Sequence, residues 1–167
     1  PQGARVLDIG SSDGLVGAAL KQKGCHVAGI DRHGPPQERG YDRFTPSDLD
    51  RDPLAVDPSH FDAVLLLDVL GHLKEPERFM ERLHESLGAK PDTLVIVTAG
   101  NIGFILNRLQ LLFGYFNYGK RGILDASHTR LFTFQSLPRL LEEAGFQVET
   151  VMAVPAPFEL ALGDNPL

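Results

Sequence analysis

The sequence has very little cysteine, no tryptophan and no long apolar run. Its one cysteine, Cys25, cannot close an internal disulfide, so the fold needs no oxidising compartment and we expect a cytoplasmic protein. No stretch of about 18 apolar residues occurs, so a transmembrane segment is not expected. Basic residues are the minority, with 16 Lys+Arg against 22 Asp+Glu, and the net charge of −6 argues against a nucleic-acid partner.

What the sequence does contain is a regular alternation of short apolar runs and helical patterns. Its 167 residues suit a single domain, and the alternation predicts an α/β fold with a mostly parallel sheet and helices on both faces. Strands are predicted at 6–9, 26–30, 41–44, 61–67, 93–98 and 147–154, and helices at 15–23, 76–87 and 133–145. In such sheets ligands bind at the carboxyl ends of the strands, so the site is expected there.

A glycine-containing turn follows the first predicted strand. Gly10 and Gly14 allow a positive φ and a close approach of ligand to backbone, and a helix N-terminus with unpaired N–H groups comes directly after them. Asp31 ends the second predicted strand, where its carboxylate can accept hydrogen bonds from ribose hydroxyls. The turn and this acid together predict a nucleoside-containing cofactor.

The spacing of the turn distinguishes between nucleoside cofactors. A dinucleotide fingerprint needs G-x-G-x-x-G, but counting from Gly10 the two further glycines fall on Ser12 and Leu15. Asp13 inside the turn would repel a pyrophosphate, whereas Asp8 and Asp13 suit a cationic ligand. S-adenosylmethionine, which carries a sulfonium and an ammonium and no phosphate, fits this pattern better than NAD.

The chain resembles the class I S-adenosylmethionine-dependent methyltransferases. Residues 6–14 look like the glycine-rich first motif of that family, residues 29–31 are similar to its second motif, and residues 61–73 resemble its fourth-strand motif, commonly written D-V-L-E-H-L. Gly71 stands where that motif has Glu, and Ser12 where the first motif usually has glycine. The resemblance implies a Rossmann-like methyltransferase core that binds S-adenosylmethionine and releases S-adenosylhomocysteine.

The resemblance also implies roles for individual residues. The first motif would hold the methionine part, Asp31 the ribose, and Asp48 with Leu49 the adenine. The predicted cofactor residues are Asp8, Gly10, Ser11, Ser12, Asp13, Gly14, Asp31, Arg32, Asp48, Leu49, Leu67 and Asp68. Asp48 lies in a polar loop, so a purely solvated role remains the alternative. No His/Cys cluster at ligand spacing occurs, and the sequence therefore predicts no metal site.

Two of the six histidines are candidate catalytic bases. His72 follows the fourth predicted strand, and a helix-capping role is its alternative. His128 lies in a long polar loop, and this loop resembles a G-I-L-D-x-x-H-x-R segment found in some bacterial members of the family, a few of which are fused to glycosyltransferases. Tyr118 and Arg130 of the same loop are predicted to contact the substrate, unless His128 and Arg130 merely tie the loop to Asp125.

Residues 102–116 are unusually apolar for a segment between polar loops. The segment is too short to span a bilayer, so a lid, a dimer interface or a contact with a neighbouring domain is expected more than membrane contact. Because family members usually carry helices before the first strand and a seventh, antiparallel strand, residues 1–167 are predicted to be a core fragment of a longer chain without that final strand.

The function predicted from the sequence is methylation of a small molecule, most readily on a hydroxyl oxygen. Two other classes stay open at this point. An NAD(P)-dependent oxidoreductase would use the same fold but is opposed by the glycine spacing. A non-catalytic cofactor-binding module of a multidomain protein would keep the fold and the cofactor without the transfer step.

Overall fold

Five parallel strands form the central sheet of the computed structural model, which describes residues 2–34, 40–88, 92–120 and 122–154. The strands are β1 (Arg5–Ile9), β2 (His26–Asp31), β3 (Arg43–Pro46), β4 (Ala63–Leu67) and β5 (Leu94–Thr98). They pair in the order β3-β2-β1-β4-β5, so the strand order reverses between β1 and β4. This confirms the predicted α/β class with a parallel sheet.

Alternate residues of the central strands enter two separate cores, one on each face of the sheet. Leu7 and Ile9 are fully buried in the larger core, while their neighbour Val6 lies in the smaller one. Successive side chains of a strand point to opposite faces, and a strand covered on both faces must therefore be apolar throughout. This explains why apolar residues dominate β1, β2 and β4, with the buried Asp8 of β1 as an exception.

Four α-helices are present in the described residues: α1 (Leu15–Gln22), α2 (Pro76–Leu87), α3 (Ile105–Leu112) and α4 (Ser136–Glu143). The smaller core includes Val16 and Leu20 of α1, and the larger one includes the buried face of α2 together with Leu140 of α4. The helices thus cover both faces, as predicted. α2 has the predicted bounds because proline is favoured at a first helical position.

The last predicted strand is wrong. Residues 147–154 have no strand structure, and Val151, Met152 and Val154 are 43%, 79% and 84% exposed. An apolar, β-branched run favours a strand only when a sheet edge is available to pair with it. The third strand is also displaced, to Arg43–Pro46 instead of 41–44. Residues after 154, where a further antiparallel strand would follow, lie outside the described residues.

The apolar segment 102–116 lies largely on the surface. α3 exposes Ile105, Leu109 and Leu112, and Phe113 and Tyr115 beyond it are 73% and 61% exposed. Asn107 is the buried residue of this helix. Among the described residues, no helix combines the length and the hydropathy needed to cross a membrane.

Candidate cofactor and active site

A cavity of about 500 Å³ opens at the carboxyl ends of β1, β2 and β4, beside the point where the strand order reverses. Fourteen residues from the ends of four strands and the loops after them line it: Gly10, Ser12, Asp31, Arg32, His33, Ser47, Asp48, Leu49, Asp50, Leu67, Asp68, Val69, His72 and Leu73. A parallel sheet creates a crevice at this place because the loops on either side of the reversal turn away from each other. The position is the one predicted.

The turn after β1 is held tightly against β2. The backbone N–H groups of Gly10 and Ser11 both donate to the carbonyl oxygen of Ile30, at 2.7 and 3.2 Å. Gly10 has a φ of +76°, and a Cβ there would lie 2.3 Å from a methyl carbon of Val69. Only glycine fits this position, and the turn can therefore approach a ligand with its bare backbone.

The carboxylate of Asp31 joins two loops of the cavity. One oxygen accepts a hydrogen bond from the backbone N–H of Ser12 at 2.9 Å, and the other accepts one from the N–H of His33 at 3.1 Å. Each carboxylate oxygen has a second lone pair, so both can still accept a hydrogen bond from a ligand. Two hydroxyls on adjacent carbons, as in a ribose, match this arrangement.

Asp48 faces the cavity with its negative charge held in place. Arg32 donates to its carboxylate at 2.8 Å, and this hydrogen bond lowers the pKa of Asp48, helped by the backbone N–H of Asp50. The carboxylate therefore stays ionised under ordinary conditions. The neighbouring Leu49 also lines the cavity. Together with Leu67, Val69 and Leu73 it forms an apolar part of the cavity, which suits a flat heteroaromatic ring.

Four of the predicted cofactor residues do not line the cavity: Asp8, Ser11, Asp13 and Gly14. Asp8 is 3% exposed and lies beneath the turn, where it accepts a hydrogen bond from the Tyr41 hydroxyl at 2.8 Å. Burial raises its pKa, although the bond from Tyr41 opposes the rise. We expected Asp8 to attract a cation directly. The structure instead places it behind the turn, where it has a supporting position.

Tyr41 is the supporting residue that sequence patterns did not reveal. Its ring lies against Gly17 of α1 and Gly29 of β2, where an added Cβ would approach the ring to 2.6 and 2.9 Å. Its hydroxyl donates to Asp8, and burial is the main reason that the pKa of Tyr41 is raised far above its usual value. Gly17 and Gly29, together with an aromatic residue in the loop after β2, are the sequence signal that could have indicated this contact.

His72 and His128 come together at the open end of the cavity, with ring centroids 4.5 Å apart. The loop that carries His128 docks on the turn after β4, because Gly71 accepts hydrogen bonds from the N–H groups of Thr129 and Arg130 at 2.8 and 3.1 Å. A Cβ at Gly71 would lie 3.0 Å from His128 Cδ2. Glycine at this position, where the related motif has Glu, therefore makes room for His128.

Each of these two rings has its Nδ1 atom next to a hydrogen-bond acceptor. His128 Nδ1 lies 3.2 Å from the carbonyl oxygen of Ile123, and His72 Nδ1 lies 3.4 Å from that of Ser127. The Ser127 hydroxyl donates to Asp125 at 2.6 Å and accepts from His72 Nδ1 at 3.2 Å. Because carbonyl oxygens only accept, Nδ1 carries the proton in both neutral rings and Nε2 keeps its lone pair.

The two residues predicted to contact the substrate lie beyond the cavity lining. Arg130 forms an ion pair with Glu77 of α2 at 2.9 Å, and not with Asp125. Tyr118 is half exposed and packs edge-on against Phe116, with ring centroids 5.4 Å apart. Their contact with a substrate stays a prediction.

The cavity suits S-adenosylmethionine in charge as well as shape. Four carboxylates line it, from Asp31, Asp48, Asp50 and Asp68, against the single guanidinium of Arg32 among the described residues. Such a surface favours a cationic ligand and disfavours a pyrophosphate. The bare backbone at Gly10 would hold the methionine portion of the cofactor. The carboxylate of Asp31, which joins two loops, would hold the ribose, and the apolar part of the cavity would hold the adenine.

The fold and the cavity are those of the class I S-adenosylmethionine-dependent methyltransferases, and comparison with known proteins agrees. Residues 1–151 match the methyltransferase domain family, and the chain belongs to it. Ubiquinone biosynthesis O-methyltransferase of Xylella fastidiosa is 34% identical over 89 residues, covering 47% of this chain and 35% of the relative. The enzyme of the same name from Haemophilus ducreyi is 28% identical over 111 residues, covering 59% of this chain and 46% of the relative.

Solved structures show the same fold at lower sequence identity. A TehB-like S-adenosylmethionine-dependent methyltransferase from Corynebacterium glutamicum superposes with a TM-score of 0.57 at 24% identity, covering 87% of this chain and 66% of the other. The 1,6-didemethyltoxoflavin-N1-methyltransferase of Burkholderia thailandensis, solved with its substrate and S-adenosylhomocysteine, gives 0.59 at 22%, covering 86% and 60%. The chain spans less than half the length of the curated relatives it matches.

Proposed function

We propose that this chain carries the S-adenosylmethionine-dependent O-methylation of a small molecule. The observation that carries the proposal is the continuity of the cavity, which runs from the ribose-type acid Asp31 to His72 at its open end, beside His128. The cofactor would place its methyl group between these two ends. The acceptor hydroxyl would then meet the methyl group beside the two imidazoles.

The transfer step is an in-line displacement. A lone pair of the acceptor oxygen forms the new O–CH₃ bond while the S–CH₃ bond breaks, and its electron pair stays on sulfur to give neutral S-adenosylhomocysteine. The hydroxyl proton must leave, so a group that accepts this proton or acidifies the hydroxyl contributes to the rate. We assign this role to His128 or His72, because with Nδ1 protonated the lone pair of each neutral ring is on Nε2.

The curated relatives support oxygen as the acceptor atom, because both are O-methyltransferases by name. The electrostatics of the cavity favour this function over the oxidoreductase alternative, since a pyrophosphate would face four carboxylates. The histidine pair favours it over a non-catalytic module, because cofactor binding alone gives no reason to bring a second loop over the open end of the cavity.

The proposal extends to a partner and a location. The exposed apolar face of residues 102–116 would contact a second copy or a neighbouring domain, and a cytoplasmic location fits a chain with the one cysteine Cys25. Sedimentation velocity at several protein concentrations would test the first point. A monomer at every concentration would exclude a second copy and leave a neighbouring domain as the partner of this apolar face.

Replacing Asp31 by Ala tests the cofactor assignment. The change removes an ionised hydrogen-bond acceptor from the ribose position and should weaken S-adenosylmethionine binding at least tenfold, measured by calorimetry. Asp92→Ala is the matched control, because Asp92 is exposed and lies outside the cavity. Unchanged affinity in Asp31→Ala, or tighter binding of NAD than of S-adenosylmethionine by the native chain, would overturn the assignment.

A further inference from the structure

Three side chains at the open end of the cavity have the composition of a metal site. One carboxylate oxygen of Asp68 and one ring nitrogen from each of His72 and His128 all lie within 4.8 Å of one another. Sequence spacing did not predict this cluster, because His128 comes from a different loop. The prediction of no metal site rested on spacing along the sequence, and it stays a prediction that the folded arrangement of these three side chains calls into question.

We propose that Asp68, His72 and His128 bind one divalent transition-metal ion, with Zn²⁺ as the preferred occupant. Two imidazoles and one carboxylate form a donor set that suits Zn²⁺ and similar ions, while Mg²⁺ prefers oxygen ligands. The inference rests on the proposed methyl-transfer function and deepens it, because it specifies how the acceptor hydroxyl is activated.

The outer contacts of both histidines support this proposal independently. A metal-bound histidine normally donates its other ring N–H to a carbonyl or carboxylate, which fixes the ring and leaves one nitrogen for the metal. His128 has the Ile123 carbonyl in this role, and His72 has the Ser127 carbonyl and hydroxyl, the latter linked to Asp125. With Nδ1 engaged in this way, Nε2 of each ring is the nitrogen that would bind the ion.

The distances require at most a small contraction around the ion. Ligand atoms at about 2.1 Å from a shared ion lie at most about 4.2 Å apart, and the three ligand atoms here lie within 4.8 Å of one another, so any gap is small. Asp68 and His72 are exposed and can close this gap by side-chain rotation, whereas the half-buried His128 is fixed by its loop. Asp68 also has a φ of +60°, which turns the chain sharply between β4 and the following loop.

Three protein ligands leave at least one coordination position for the acceptor oxygen. A divalent ion strongly lowers the pKa of a bound water in favourable sites, and it would lower the pKa of a bound hydroxyl in the same sense. The hydroxyl proton then passes to solvent, and the resulting oxygen anion attacks the methyl group of the sulfonium. The imidazoles serve as ligands in this arrangement, so neither needs to accept the proton itself.

Calorimetric titration of the chelator-treated protein with Zn²⁺ tests the proposal. We expect one ion per chain, and at least tenfold weaker binding in each of His72→Ala, His128→Ala and Asp68→Asn, because each change removes one of three ligands. His60→Ala is the control, since His60 is an exposed histidine that faces Asp57 outside the cavity. Thermal melting identifies any variant that fails to fold, and Co²⁺ absorption spectra provide a second readout of the ligand set.

Two independent measurements separate failure of the metal site from failure of the proposed function. Absence of Zn²⁺ binding, or binding that the three variants leave unchanged, overturns the metal site; if methyl transfer also proceeds in the chelator-treated protein, the histidines act as bases directly. Absence of S-adenosylmethionine binding in the native chain overturns the proposed function instead, whatever the Zn²⁺ titration shows.

Discussion

The cofactor cavity and the histidine pair are built in opposite ways. The cavity comes from the ends of neighbouring strands, and hydrogen bonds such as those from Gly10 and Ser11 to Ile30 continue the sheet into its loops. The histidine pair depends on a long loop that reaches back to Gly71, where Thr129 donates to a carbonyl 58 residues earlier in the chain. One region is an extension of the sheet, and the other is docked on it.

If the histidine pair acts on the acceptor, as we propose, this difference separates cofactor binding from activation of the acceptor. A ladder of backbone hydrogen bonds leaves few alternative conformations for the cavity, whereas the docked loop is held by a small number of contacts and can shift without unfolding the sheet. Changes near Gly10 should therefore affect stability and cofactor affinity together. Changes near Gly71 should affect the transfer step while the cofactor still binds.

The largest expected effect comes from Gly10→Ala. The new methyl group would meet Val69 at 2.3 Å in a backbone with φ of +76°, so we expect a loss of about 3 kcal/mol in the free energy of unfolding and at least tenfold weaker S-adenosylmethionine binding. Gly114→Ala is the control with a φ of +78° and no atom within 4 Å of its Cβ; it should cost only about 1 kcal/mol. Urea unfolding and calorimetry give both quantities, and equal losses in the two variants would contradict the steric argument.

A smaller and more selective effect is expected from Gly71→Ala. Its Cβ would lie 3.0 Å from His128 Cδ2 and push the ring away, so kcat for methyl transfer should fall about tenfold while the Kd for S-adenosylmethionine stays within about twofold. Gly100→Ala makes only ordinary contacts, 3.5 Å or more, and should change neither value. If the cofactor affinity of Gly71→Ala falls as much as its kcat, the two regions are not separable.

The smallest expected effect concerns Asp8, which lies beneath the cavity. Its pKa is raised in the folded protein, chiefly by burial, so the acid binds its proton more tightly there than in the unfolded chain. This contribution favours folding below the unfolded pKa, near 3.8, and is lost as the pH rises through the folded value. Asp8→Asn, whose amide oxygen can still accept from Tyr41, should gain stability relative to the native chain as the pH rises from about 3 to 7. Chemical denaturation across that range measures the difference; a difference that shrinks with rising pH would contradict it.

Much of the cavity could be predicted from the sequence because its residues follow strands in short loops. Gly10, Asp31 and Leu67 occupy the ends of apolar runs, and strand ends in a parallel sheet meet at one edge. Asp8 shows the limit of this reasoning. It adjoins the same turn, yet strand alternation directs its side chain beneath the turn, where Tyr41 from a distant loop meets it.

The strand at 147–154 was predicted wrongly for a related reason. Its β-branched and apolar residues satisfy a local pattern, but pairing with a sheet edge is a property of the whole fold. The cluster of Asp68, His72 and His128 was not found from the sequence for a different reason: these residues meet only when the loop of His128 folds back beside the other two.

The sequence by itself determined the parallel sheet, the glycine turn and the acid that follows β2, because these depend on residues that interact with near neighbours or recur along each strand. Only the tertiary structure decided the pairing of His72 with His128, the burial of Asp8 under Tyr41 and the exposure of α3. Those features depend on where a loop lands after leaving the sheet, and the missing side chain of Gly71 is what allows His128 to come to rest there.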